Sequence, residues 1–243
     1  MNKKTLVLVA LSLSVCAAVY GREPSAVSWI PANPMHRARA FFVAAELPNG
    51  NILVAGGFDG IMSPPNFADS EIYNRHTGVW TSTASMNRAR AAAVAVQLEN
   101  GRVLVIGGFD EHFTVLASAE IYDPRTNMWS LTTGSMNDAR VEDFVAVLLP
   151  GRKVLVAGGT GTNGSSLKSA EIFNEATGTW SRINSMNIGR GEFANVKLHD
   201  GRVLVMGGVT QDGPSPTQTA EIFDPDNWDV EPDREHECWL QRD

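Results

Sequence analysis

A glycine pair closing an aliphatic run recurs four times in this 243-residue chain, at residues 56/57, 107/108, 158/159 and 207/208. The intervals are 51, 51 and 49 residues. The fullest copy is Gly101-Arg102-Val103-Leu104-Val105-Ile106-Gly107-Gly108-Phe109-Asp110. A second phrase follows each pair: Glu71-Ile72-Tyr73, Glu120-Ile121-Tyr122, Glu171-Ile172-Phe173 and Glu221-Ile222-Phe223. Trp80, Trp129, Trp180 and Trp228 close the periods, and Trp29 precedes the first. A fixed period near 50 describes an array whose units bury their apolar faces against one another. A β-sandwich does not repeat its sequence in this way.

Within one period the sequence predicts four strands. Ala91 to Leu98 is Val-rich, with little polarity on either side, and Asn100-Gly101 marks a two-residue hairpin turn. Val103 to Gly107 is an unbroken apolar run, the pattern of a strand covered on both faces. Ser118 to Tyr122 follows a longer loop, and Met128 to Thr132, which carries Trp129, is the most polar of the four. Antiparallel strands that grow more polar outward describe a propeller blade running from hub to rim. Where inner strands crowd at the hub a Cβ would clash, which accounts for the glycine pairs.

An arginine, an apolar strand, Gly-Gly, Glu-x-Tyr/Phe, a turn and Trp, repeated near every 50 residues, resembles the kelch repeat. The stretch Leu47-Pro48-Asn49-Gly50-Asn51-Ile52-Leu53-Val54-Ala55-Gly56-Gly57 is most similar to bacterial exported kelch proteins of the galactose-oxidase-like kind. The resemblance covers residues 26–228. It implies an all-β, kelch-type β-propeller of four four-stranded blades, complete in itself or a fragment of a larger propeller. The propeller domain then spans 22–228, and the charged residues 229–243 form an irregular tail. Kelch propellers close by lending a terminal strand to the opposite blade. On that logic Ala26 to Pro31, with Trp29, supplies the outer strand of the last blade.

The first residues read as a signal peptide, 1–21. Lys3 and Lys4 precede an apolar run, Leu6 to Tyr20, too short to span a bilayer comfortably, with Gly21 as the cleavage point. Export to the periplasm, the cell surface or the medium follows, with no membrane span. Losing Lys3 and Lys4 takes the net charge from -7 to -9, which disfavours nucleic acid as a partner. Cys16 leaves with the signal and Cys238 stands alone, so no internal disulfide is expected.

The resemblance also raises copper-radical oxidation, which needs Tyr and His ligands and a Cys crosslinked to Tyr. After cleavage only Tyr73 and Tyr122 remain, at repeat positions that packing already explains, and the five histidines are scattered. No copper or other cofactor is expected. A kelch-scaffold enzyme acting on sugars, epimerase- or mutarotase-like, would need a Glu and an Arg converging on the channel, Arg190 and Glu192 for instance. A bare structural module of a larger surface protein is a third reading.

The leading expectation is a binding protein that recognises a protein or glycan through loops on one propeller face. Candidates are Phe58, Asp59, Phe109, Asp110, His112 and Phe113, which do not recur as a full set, together with the recurring Arg39, Arg90, Arg140 and Arg190. The arginines have two possible places. They form an anion-binding ring at the channel mouth, or each pairs with Glu71, Glu120, Glu171 or Glu221 and ties blade to blade.

Overall fold

The computed structural model describes residues 29–59 and 66–227. The first sheet contains β1 (Val43–Glu46), β2 (Ile52–Ala55), β3 (Ser70–Tyr73) and β4 (Trp80–Thr83). The second contains β5 (Val94–Gln97), β6 (Val103–Ile106), β7 (Ala119–Asp123) and β8 (Met128–Leu131). The third contains β9 (Val145–Leu149), β10 (Lys153–Ala157), β11 (Ala170–Asn174) and β12 (Thr179–Ile183). The fourth has three described strands, β13 (Ala194–Lys197), β14 (Val203–Met206) and β15 (Ala220–Phe223). Every sheet is an antiparallel meander in chain order, so each repeat is one blade of an all-β propeller architecture. No helix among the described residues is long and apolar enough to cross a membrane.

The aliphatic runs are strands because both their faces are covered. Val103 and Val105 of β6 pack with Leu53 and Ala55 of the first blade, while Leu104 and Ile106 pack with Val154 and Val156 of the third. All four are fully buried, each gaining about 1.5–3 kcal/mol from leaving water. The Asn100-Gly101 turn is one residue longer than the two-residue form: Leu98 N–H donates to the Arg102 carbonyl and Gly101 N–H to that of Leu98. A two-residue type I′ turn needs both central residues left-handed, and here only Gly101 is, at φ +80°.

Three junctions between successive blades are built alike. The second glycine of each pair donates its N–H to an arginine carbonyl of the next blade: Gly57 to Arg90 (2.7 Å), Gly108 to Arg140 (3.0 Å) and Gly159 to Arg190 (2.8 Å). That arginine's N–H returns to the preceding blade, Arg90 to Phe67, Arg140 to Leu116 and Arg190 to Leu167. Met86, Met136 and Met186 likewise donate to the carbonyls of Ala68, Ala117 and Lys168. The close approach requires glycine. A Cβ on Gly107, itself at φ +61°, would lie 2.4 Å from the Arg140 carbonyl oxygen.

Of the strand expected from Ala26 to Pro31, only Trp29 to Pro31 are described. Trp29 to Pro31 hold no strand, Trp29 and Ile30 are exposed, and β15 has no described partner beyond β14. Residues 26–28, the signal segment 1–21, Trp228 and the tail 229–243 lie outside the described residues.

Candidate functional site

The four arginines sit on the strap that enters each blade, and their side chains are withdrawn from solvent. Arg140 shows what holds them. Its guanidinium donates to the carbonyls of Gly158 (2.7 Å) and Ser169 (3.3 Å), to the Ser169 hydroxyl (3.3 Å) and to Glu171 (3.1 Å). Glu171 in turn accepts from the backbone and side chain of Asn137 and from the Asp138 N–H. Arg39–Glu71, Arg90–Glu120 and Arg190–Glu221 repeat the pair at 2.8–3.1 Å. Burial pushes the Arg140 guanidinium below its ordinary range, and the Glu171 charge beside it acts the other way.

Two expectations are corrected here. The arginines are not an open anion-binding ring, because both terminal nitrogens of each fork are buried and turned to acceptors of the fold. Nor does the side-chain pair cross between blades: Arg140 and Glu171 belong to the same one, and the crossing is made by the arginine main chain. Arg190, spent on Glu221 and on the carbonyls of Gly207 and Thr219, does not converge with Glu192.

What faces the hub opening lies two residues further along. Phe41, Ala92, Glu142 and Glu192 occupy one equivalent position in the four blades, each left-handed at φ +53°, +51°, +58° and +50°. Non-glycine residues rarely adopt this conformation, at a cost of about 1 kcal/mol or more. It turns the four side chains toward a cavity of about 400 Å³, lined also by Phe42, Ala93, Val94 and Asp143. The first two blades contribute aromatic and aliphatic groups, and the last two contribute Glu142, Asp143 and Glu192, all exposed. No three His, Cys, Asp or Glu side chains among the described residues gather closely enough to hold a metal ion.

The loop candidates add two aromatic stacks on the same face. Phe41 stacks on Phe58 with ring centroids 5.4 Å apart, and Phe109 on Phe113 at 5.6 Å. Phe113 is 54% exposed. Asp110 is the anchor of its loop: one carboxylate oxygen accepts the N–H groups of His112 and Thr114, both at 2.9 Å. Burial raises its carboxyl, but those donors outweigh it and hold the group below its usual range. Asp59 and His112 are exposed at the loop tips. Residues 60–65 of the long first loop lie outside the described residues.

Sequence reasoning singled out the arginines because they recur, and so passed over positions 41, 92 and 142, with Glu192 considered only as a partner of Arg190. Their signal is the reverse: a slot between the constant arginine and the constant strand whose identity changes from blade to blade.

The kelch-motif family profile matches residues 39–87, 88–133 and 144–187, more than half of the chain. An F-box/kelch-repeat protein of Arabidopsis thaliana is 31% identical over 139 residues, 56% of this chain and 34% of the relative. Kelch-like protein 35 of Mus musculus is 26% identical over 204 residues, 84% of this chain and 33% of the relative. Kelch-like protein 25 of Xenopus tropicalis is 28% identical over 210 residues, 82% and 34%. The chain thus spans about a third of the length of these relatives.

Proposed function

The chain belongs to the kelch-repeat family, and from that premise we propose that it is a protein-binding module whose hub opening takes a cationic segment of its partner. Kelch-repeat proteins commonly serve as protein-interaction modules, which supports the first half of the reading. One observation carries the second half: the opening is walled by aromatic rings on one side and by three exposed carboxylates on the other. A Lys or Arg side chain satisfies both walls at once, lying over a ring face while its charge meets a carboxylate. An acidic partner is disfavoured, since the arginines that would receive it are internally paired. A sugar enzyme is less well supported for the same reason: the cavity lining holds carboxylates and no arginine.

The export reading belongs to the same proposal and rests on Lys3, Lys4 and the run Leu6 to Tyr20. It is joined there by the resemblance of the stretch Leu47 to Gly57 to exported kelch proteins of the galactose-oxidase-like kind. N-terminal sequencing of material recovered outside the cytoplasm is expected to begin after Gly21; a start at Met1 refutes it.

The binding test is a titration of the chain with labelled peptides of equal length, one Lys/Arg-rich, one Glu-rich and one neutral, with a glycan panel beside them. The cationic peptide is expected to bind best, and raising salt should weaken it. The Glu142→Gln/Glu192→Gln variant should lose about tenfold in affinity without losing stability. Preference for the acidic peptide or for a glycan, or unchanged affinity in that variant, would overturn the reading.

A further inference from the structure

The junction that is made three times within the array is left unmade at its first and fourth blades. In the second and third blades Val96, Ile121 and Ile172 are only 7%, 7% and 3% exposed, because the next blade covers them. Their equivalents on the fourth blade, Val196 and Ile222, are 45% and 53% exposed. Leu204 and Met206 beside them are part-exposed where Leu104 and Ile106 are fully buried. The first blade shows the reciprocal face. Ile52, Tyr73 and Trp80, all part-exposed, stand where Val154, Phe173 and Trp180 receive the second blade, while Val54 between them is buried. Tyr73 is part-exposed, whereas Tyr122 and Phe173 are fully buried and the Tyr122 hydroxyl reaches Thr83 of the preceding blade at 3.0 Å.

The main chain repeats the message. Gly208 is the equivalent of Gly57, Gly108 and Gly159, yet among the described residues its N–H meets no arginine carbonyl. The carbonyls of Thr217 and Gln218 stand where those of Leu116 and Ala117 accept from Arg140 and Met136, and they accept from no described backbone N–H. On the first blade the Arg39 carbonyl and the N–H groups of Arg39 and Met35 are the matching set, equally without a described main-chain partner. An apolar face and three main-chain hydrogen bonds are therefore left open at one end, with their complements at the other.

We propose that this chain associates with a second copy of itself head to tail, the fourth blade of each copy seating on the first blade of the other. The contact is heterologous, so it either closes a ring or grows a filament. The closed form is the one that keeps the cavity shared by the four blades, lined from Phe41 of the first to Glu192 of the fourth, on the inside of the ring. Two copies then make the missing junction twice. The proposal is independent of what the hub opening binds.

The test is the mass of the full chain in solution, by light scattering at concentrations in the tens of micromolar. A dimer is expected. Ile222→Lys on the fourth blade and Ile52→Lys on the first should each give a monomer that keeps the β-sheet spectrum of the parent. Hydrogen exchange at the Gly208 amide should slow as concentration rises. A parent chain that stays monomeric overturns the proposal, as does a ladder of larger polymers. A dimer broken by Ile222→Lys but not by Ile52→Lys also overturns it, since two fourth blades would then be facing each other.

Discussion

Arg140 and Glu171, both side chains fully buried, give the residue scale its sharpest expectation. Arg140→Ala leaves a carboxylate facing a void and takes the side-chain donor from the Gly158 carbonyl, and should cost about 3–5 kcal/mol in thermal or denaturant unfolding. Arg140→Lys should recover little of it, because an ammonium cannot span the four acceptors that the planar fork reaches. Arg190→Ala should cost less, since its partner Glu221 is 17% exposed and water can take over part of the charge. Acid should act on the same groups. Burial alone would raise Glu71 and Glu221, but donors from His36 and Arg39, and from Asn187, Arg190 and Ile188, hold both below the ordinary 4.5. Their folded pKa lies under the unfolded one, so the stability they lend is complete above about pH 4.5 and is lost as pH falls through the depressed values. Melting temperatures recorded from neutral pH downward should therefore stay level to the carboxylate range and then drop. Glu71→Gln should lower the plateau and flatten the drop.

At the scale of the element, the glycine pair decides how closely two blades approach. Gly107→Ala places a methyl against the Arg140 carbonyl in a left-handed backbone and should cost roughly 2–5 kcal/mol. Gly207→Ala shares the left-handed strain, at φ +68°, but its nearest neighbour is 3.7 Å away in its own blade. Unfolding should register only about 1 kcal/mol there, with any further effect appearing in self-association. Equal losses at both positions would mean that the crowding at Gly107 is not what the repeat preserves. These elements were legible in the sequence because their cause is local and repeated. The runs at Val103 and Val154 have no polar side, and each is preceded by a turn signal, Asn100-Gly101 or Pro150-Gly151. The length of the Asn100-Gly101 turn was not legible, since it depends on the φ of one asparagine.

The whole molecule sets one recurring need against one variable slot. The arginine–glutamate pairing could be read from recurrence, because a residue demanded in every blade answers a demand of the blade. The site could not be read that way. Glu142, Asp143 and Glu192 share a cavity with Phe41 only because the four blades bring one left-handed position round a common hub, a juxtaposition spanning some 150 residues of chain. With the arginines paired inside the blades, as one of the two sequence readings had it, the charge at the opening belongs to carboxylates that occur in only two of the repeats. The claim that this acidic and aromatic opening is where a partner binds is tested most directly by a hydrogen-exchange footprint of the chain with the Lys/Arg-rich peptide bound. Protection should appear in segments 41–43, 109–114, 142–144 and 192–194 together, and fade as salt is raised. Protection confined to the outer strands β4, β8 and β12, with those four segments unchanged, would contradict it.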